Sequence, residues 1–223
     1  HAQRTYILTV GYDETADERG GHDHYAHDAR DIERLLETKC AQPVAGAFCL
    51  EGTNATLAAF TEKLQLIREG TTNKDLVILF FSVHGETSKE GDFTIELADE
   101  TLTGKALAEA FDTIRGAVLL MLDTCGAGGM LNHSSNNTNV CVLAGWRADE
   151  STAGGARKPL HGFYANGIHA AFSGAADENH DGKLTAGELD VYLRNPKNIR
   201  GSKRQTAVSF MPGHMEAIQV AKP

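Results

Sequence analysis

Two strand-length apolar runs, each ending in a reactive side chain, constrain this chain more than anything else in it. Leu76–Val83 (LVILFFSV) runs into His84-Gly85, and Ala117–Leu122 (AVLLML) runs into Asp123-Thr124-Cys125-Gly126. Continuous apolar runs of this length suit parallel strands that are covered on both faces. Between them, Thr103–Ile114 places Leu107, Ala110, Phe111 and Ile114 on one helical stripe. Strand, helix and strand then form a right-handed crossover. His84 and Cys125 leave the same edge of the sheet, on adjacent or near-adjacent strands about 4.8 Å apart.

The remaining chain repeats the alternation. Thr5–Val10, Val44–Leu50 and Val140–Ala144 read as strands, and the tail at Ala207–Phe210 and Ala217–Val220 can supply a final one. Asp92–Leu97 reads as a small hairpin arm. From Tyr25, the residues Ala26, Ala29, Ile32, Leu35 and Leu36 recur at helical spacing. Asn54 is placed to cap a helix through Leu57, Phe60, Leu64 and Ile67. Phe163–Phe172 and Gly187–Leu193 are also helical. The pattern predicts one α/β domain, a sandwich with a mainly parallel sheet of about six strands and helices on both faces. Its chemistry belongs beyond the carboxyl ends of the strands.

Composition narrows the partners. The 223 residues are 41% hydrophobic and 23% charged, which excludes a disordered tail, a collagen-like fibre and a coiled coil. No apolar run approaches the roughly 18–20 residues of a membrane span. Twenty-one basic against 30 acidic residues give a net charge of −9, which argues against nucleic acid and membrane lipid as partners. It leaves room for basic substrates and divalent cations. Cys40, Cys49, Cys125 and Cys141 form neither a CxxC pair nor a disulfide framework. Cys40, Cys49 and Cys141 read as small buried hydrophobes. The chain begins at His1 rather than Met, so a tag, an upstream segment or a signal peptide has been removed; the expected compartment is cytoplasmic.

An imidazole and a thiol on one sheet edge are the base and nucleophile of a cysteine hydrolase. The thiolate attacks a carbonyl, and the histidine protonates the leaving amine. Glycines beside both residues admit substrate backbone, and the N–H groups of Gly85 and Cys125 can hold an oxyanion. Asp123 lies two residues before Cys125, so both point to one side of the strand, where a carboxylate can bind a basic P1 side chain.

LVILFFSVHG followed by AVLLMLDTCGAGG resembles the catalytic core of the caspase-like cysteine peptidases, in particular the bacterial metacaspase-like branch, also called orthocaspases. GHDHYAHDARDIERLLE resembles that family's first helix. WRADE, HGFYANGIHAAFSG, DENHDGKLTAGELDVYL and RQTAVSF resemble its C-terminal half. One departure stands out: many relatives carry His-Ser-Gly after the cysteine, whereas this chain has Gly126-Ala127-Gly128. The resemblance implies a caspase-like sandwich and a Cys125/His84 dyad acting on peptide or protein substrates, in a monomer. It also implies that Asp123 and Asp28 line the S1 pocket, with Ser82 adding a hydrogen bond. Cleavage then follows Arg or Lys, Arg being the better partner for two carboxylates because its fork bonds bidentately. Asp149 is a further candidate wall, and Trp146 is expected to pack near it. The plain alternatives are a solvated helix residue for Asp28 and a strand-end cap for Asp123.

A protease that cuts after basic residues can cut itself. Arg157 and Lys158, in the loop Ser151–Leu160, and Arg147 are the candidate self-cleavage sites; an exposed basic turn is the plain reading of that loop. Asp177–Glu188 matches an EF-hand loop, with Asp177, Asn179, Asp181 and Glu188 at the side-chain ligand positions, the Lys183 carbonyl at position 7 and Gly182 at the turn. Calcium is therefore a candidate ligand and a candidate regulator, though the chemistry itself requires no cofactor. The plain alternative is a turn that has lost its ion. His22, His24 and His27 read as a solvated cluster. Two other functions remain open from the sequence: an inactive caspase-like scaffold that binds partners, and a calcium-binding interaction module.

Overall fold

The computed structural model describes residues 3–13, 24–134, 138–150, 162–199 and 205–223. In chain order the elements are β1 (Thr5–Tyr12), α1 (His24–Lys39), β2 (Val44–Glu51), α2 (Leu57–Gly70), β3 (Leu76–Val83), β4 (Gly85–Thr87), β5 (Phe93–Glu96) and β6 (Thr101–Thr103). They continue as α3 (Gly104–Phe111), β7 (Ala117–Asp123), a single turn α4 (Leu131–Ser134), β8 (Val140–Ala144), α5 (Phe163–Ala170), β9 (Leu184–Thr185), α6 (Ala186–Arg194), β10 (Val208–Phe210) and β11 (Gln219–Ala221).

The main sheet has six strands in the order β10-β8-β7-β3-β1-β2. Its five inner pairings are parallel except at β10, which runs antiparallel to β8. Every residue of β3 is buried, as its central position demands. The strand period of two then sorts its side chains between two layers. Val77, Leu79 and Phe81 join Phe60, Leu64 and Ile67 of α2 and Leu107 and Phe111 of α3. Ile78 and Phe80 join Ile32 and Leu36 of α1, Ile168 of α5, and Leu189 and Leu193 of α6. This is the expected α/β sandwich, with helices on both faces.

Two details differ from the sequence reading. The cap of α2 is Thr56, whose hydroxyl accepts from Ala59 N–H; Asn54 belongs to a 3-10 turn at Gly52–Asn54. The chain is held back there because Ala98 N–H donates to Ala55 O and Leu57 N–H donates to Asp99 Oδ1. The tail supplies two strands rather than one. β10 extends the main sheet, while β11 pairs with β9 in a separate ribbon. The hairpin arm at 92–97 is the middle strand of a small sheet, β4-β5-β6. Among the described residues no helix is long and apolar enough to cross a membrane.

Candidate active site

Strand register assembles the site. On β3 and its neighbours, Ser82 lies opposite Gly11 of β1 on one side and opposite Asp123 of β7 on the other. Continuing both registers by two residues sets Asp13, His84 and Cys125 in one row across three adjacent strand ends. The upper row carries acid, imidazole and thiol. The row beneath it carries Ser82 and Asp123.

Within the upper row, His84 Nε2 lies 3.0 Å from Asp13 Oδ1. The Asp13 side chain is 1% exposed and that of His84 30%. A buried carboxylate on one ring nitrogen fixes the imidazole's orientation and tautomer, and leaves Nδ1 for the thiol. The Tyr25 ring meets His84 edge-on with centroids 5.0 Å apart, which holds the imidazole from a second side. Cys125 is half-buried. Asp13 is the functional residue that sequence reasoning passed over. Asp13 follows the strand at Thr5–Val10 closely in sequence, but only the β1/β3 register makes that strand end a neighbour of His84.

The oxyanion donors can be traced through the backbone. Glu96 N–H donates to His84 O at 2.9 Å, which makes 84/96 a closely spaced hydrogen-bonded pair. Alternation then makes Gly85/Ile95 the non-hydrogen-bonded pair, so the Gly85 N–H faces away from β5. β4 is an edge strand of the small sheet. After the cysteine, Gly126 N–H goes to Glu150 O and Gly128 N–H to Trp146 O. The expected oxyanion donors, the N–H groups of Gly85 and Cys125, lie beside this loop.

The same loop accounts for the missing His-Ser-Gly. Gly126 adopts φ 65°, and a Cβ there would lie 2.7 Å from Thr87 N. Thr87 Oγ1 donates to Gly126 O at 2.6 Å, which ties the loop to β4. The turn is closed by backbone contacts that a larger side chain would break.

In the lower row, Asp28 reaches down from α1 and accepts from Ser82 Oγ at 3.1 Å. Asp28 is fully buried, and Asp123 is 9% exposed. Gly162 N–H donates to both Asp28 oxygens, at 3.2 and 3.0 Å, and Ala165 N–H donates to Asp123 Oδ2 at 3.1 Å. Trp146 is 4% exposed. Burial, with the Asp28 charge beside it, pushes the Asp123 carboxyl up to about 7, against the pull of the Ala165 N–H. The predicted Asp28, Ser82 and Asp123 therefore meet, and Trp146 stands with them.

Asp149 does not join them. Its side chain is 76% exposed and accepts from Arg147 Nε at 3.2 Å, because the chain turns outward after Trp146. Arg147 is likewise exposed. Arg157 and Lys158 lie outside the described residues, as does His22. His24 stacks on Tyr25 with centroids 4.2 Å apart.

The loop at 177–188 keeps its turn, with His180 at φ 57° and Gly182 at φ 74°. Its oxygens serve the loop's own donors. Asp177 and Asn179 accept from Asp181 N–H, Asp177 also from Gly182 N–H, and Asp181 from Lys183 N–H. Glu188 accepts from Asn179 Nδ2, and with Thr185 it forms the capping box of α6. Among the described residues no group of three or more His, Cys, Asp or Glu is assembled to hold a metal ion.

Residues 48–181 match the Peptidase C13 family. The chain is also similar to an anthranilate phosphoribosyltransferase of Alkalilimnicola ehrlichii, with 26% identity over 176 residues, 77% of this chain. It spans 45% of that relative's length. In fold it is similar to protein GSU0716 of Geobacter sulfurreducens, with a TM-score of 0.68 at 14% identity, over 96% of this chain and 97% of the other.

Proposed function

The chain belongs to the Peptidase C13 family; from this premise we propose a cysteine endopeptidase that cleaves after Arg or Lys through Cys125 and His84. The observation that carries the reading is the two-row arrangement. Asp13 and His84 meet at 3.0 Å just past the ends of two paired strands, Cys125 follows the end of the next strand, and a buried pair of carboxylates lies one row below. The finer assignment to the metacaspase-like branch is part of the same proposal. A phosphoribosyl transfer does not follow from the transferase relative, of which this chain spans less than half.

In this mechanism His84 takes the Cys125 thiol proton, and the thiolate attacks the carbonyl carbon after the basic residue. Charge gathers on the carbonyl oxygen, where the Gly85 and Cys125 N–H groups hold it. The carbon–nitrogen bond breaks as His84 returns the proton to the leaving amine, which leaves a thioester. Water, deprotonated by His84, then hydrolyses the thioester and restores the thiol. Asp13 keeps the imidazole in one orientation through both halves and stabilises its charged form. Asp28 and Asp123 bind the cationic side chain, and Ser82 steadies Asp28.

The loop at 177–188 belongs to folding in this account and not to the reaction. Calcium regulation would show as a rate that responds to calcium in the wild type and not in Glu188→Gln. The function itself is tested by mapping new C-termini, by mass spectrometry, after incubation with an unfolded protein substrate. Termini at Arg and Lys that are absent with Cys125→Ala support the proposal; termini at other residues, or termini that persist in the variant, overturn it.

A further inference from the structure

The two carboxylates of the lower row already have an occupant between them, made of main chain. Gly162 is the N-cap of α5 and Ala165 lies in its first turn. Their N–H groups are among the donors that a helix start leaves without an intrahelical partner. Here the Gly162 N–H is spent on both oxygens of Asp28, at 3.2 and 3.0 Å, and the Ala165 N–H on Asp123, at 3.1 Å. The fit is close. A Cβ on Gly162 would collide with Asp123 Oδ2 and lie 3.0 Å from Asp28 Oδ2. The backbone of Gly162 thus fills the space in which one group would bond both acids.

That space is the one a substrate guanidinium needs. Asp28 is fully buried and Asp123 nearly so, so an incoming side chain cannot add to the present arrangement. It has to replace part of it. We propose, on the reading of Asp28 and Asp123 as the basic P1 site, that the first turn of α5 is a built-in occupant of the specificity pocket, and that the basic side chain of a substrate displaces it. The exchange is chemically balanced. The carboxylates lose two N–H donors from the helix start, that of Gly162 shared between both Asp28 oxygens, and gain up to five from a guanidinium, with a full charge in place of a partial one. The freed N–H groups move to water. The resting enzyme is thereby held back from small basic ligands, and its apparent affinity is lowered by the fraction of time the turn is closed.

The test compares labelling of Cys125 by an arginyl chloromethyl ketone and by iodoacetamide, in the wild type and in Gly162→Ala. The extra methyl cannot share the space with both carboxylates, so it should push the turn outward. The readout is the ratio of the two labelling rates, since iodoacetamide reports the thiol alone. The expected result is a ratio about 10-fold higher in Gly162→Ala than in the wild type. An arginyl preference already large in the wild type and unchanged or reduced in the variant overturns the occupant and leaves the basic pocket standing. An arginyl reagent that never outpaces an alanyl one, in either protein, overturns the basic pocket and the occupant with it. If Gly162→Ala does not fold, hydrogen exchange on the wild type decides. Agmatine, at a concentration that blocks the arginyl reagent, should speed amide exchange over 162–165; unchanged or slower exchange overturns the proposal.

Discussion

His84 and Asp13 meet across the ends of β3 and β1, with Nε2 3.0 Å from Oδ1, and the carboxylate is the buried partner. In the proposed mechanism the contact fixes one tautomer of the imidazole and stabilises the imidazolium that forms during acyl transfer. Asp13→Asn should lower kcat by roughly 10²- to 10⁴-fold with little change in KM, because the amide keeps the shape and loses the charge. Steady-state kinetics on one substrate checks this. An unchanged kcat would make the pair a fold contact only.

In the same proposal the carboxylates of the lower row act on binding instead. Asp28→Asn and Asp123→Asn should each reduce kcat/KM for an Arg substrate by about 10- to 100-fold, the value of one charge-assisted hydrogen bond. The preference for Arg over Lys should narrow in both, since only the fork uses two acids at once. A variant that loses activity equally on substrates without a basic P1 residue would place the acid in the fold rather than in recognition.

Asp123 also sets a pH dependence of stability. Its carboxyl is raised to about 7 in the folded protein by burial and by Asp28, and in the unfolded chain it returns to about 4. Between those values the folded state holds more protons, so stability is full below the unfolded value and falls as pH rises through 7. Thermal unfolding of the wild type should therefore show Tm declining from pH 5 to pH 8. Asp123→Asn should flatten that slope and raise Tm at pH 8 by roughly 5 °C. A parallel pair of curves would contradict the assignment.

Much of this was legible in the residues. Leu76–Val83 and Ala117–Leu122 announce central strands because a parallel strand buried on both faces leaves no room for polar residues. The reactive ends follow from chain direction alone. Asp13 was not legible, because the loop after β1 gives no sign of which strand β1 adjoins; only the β1/β3 pairing does. Asp149 misled for the complementary reason. Its spacing after Trp146 fits a pocket wall, but a short ion pair with Arg147 turns it to solvent. The cap of α2 shifted from Asn54 to Thr56 because long-range bonds from Ala98 and to Asp99 set where the helix begins. The EF-hand pattern at 177–188 keeps the turn that its spacing predicts, with Gly182 at φ 74°, and its side-chain oxygens accept from the loop's own N–H groups.

The loop after the nucleophile is a second place where one residue type is required. Gly126 holds φ 65° against Thr87 N. Gly126→Ala places an L side chain in the left-handed region, at a cost of about 1–2 kcal/mol before any clash is counted. Shifting the turn also moves the Cys125 N–H away from the oxyanion. The expected outcome is a lower Tm together with a kcat loss of 10²-fold or more. A variant that loses stability but keeps kcat would separate the loop from the oxyanion hole.

The measurement that tests the account most directly is hydrolysis of fluorogenic peptides that differ only at P1, carrying Arg, Lys or Asp, by the wild type and by Cys125→Ala. The account predicts cleavage after Arg and Lys, Arg being faster, negligible cleavage after Asp, and none at all in the variant. Cleavage that prefers Asp, or cleavage that survives the loss of the Cys125 thiol, would contradict it.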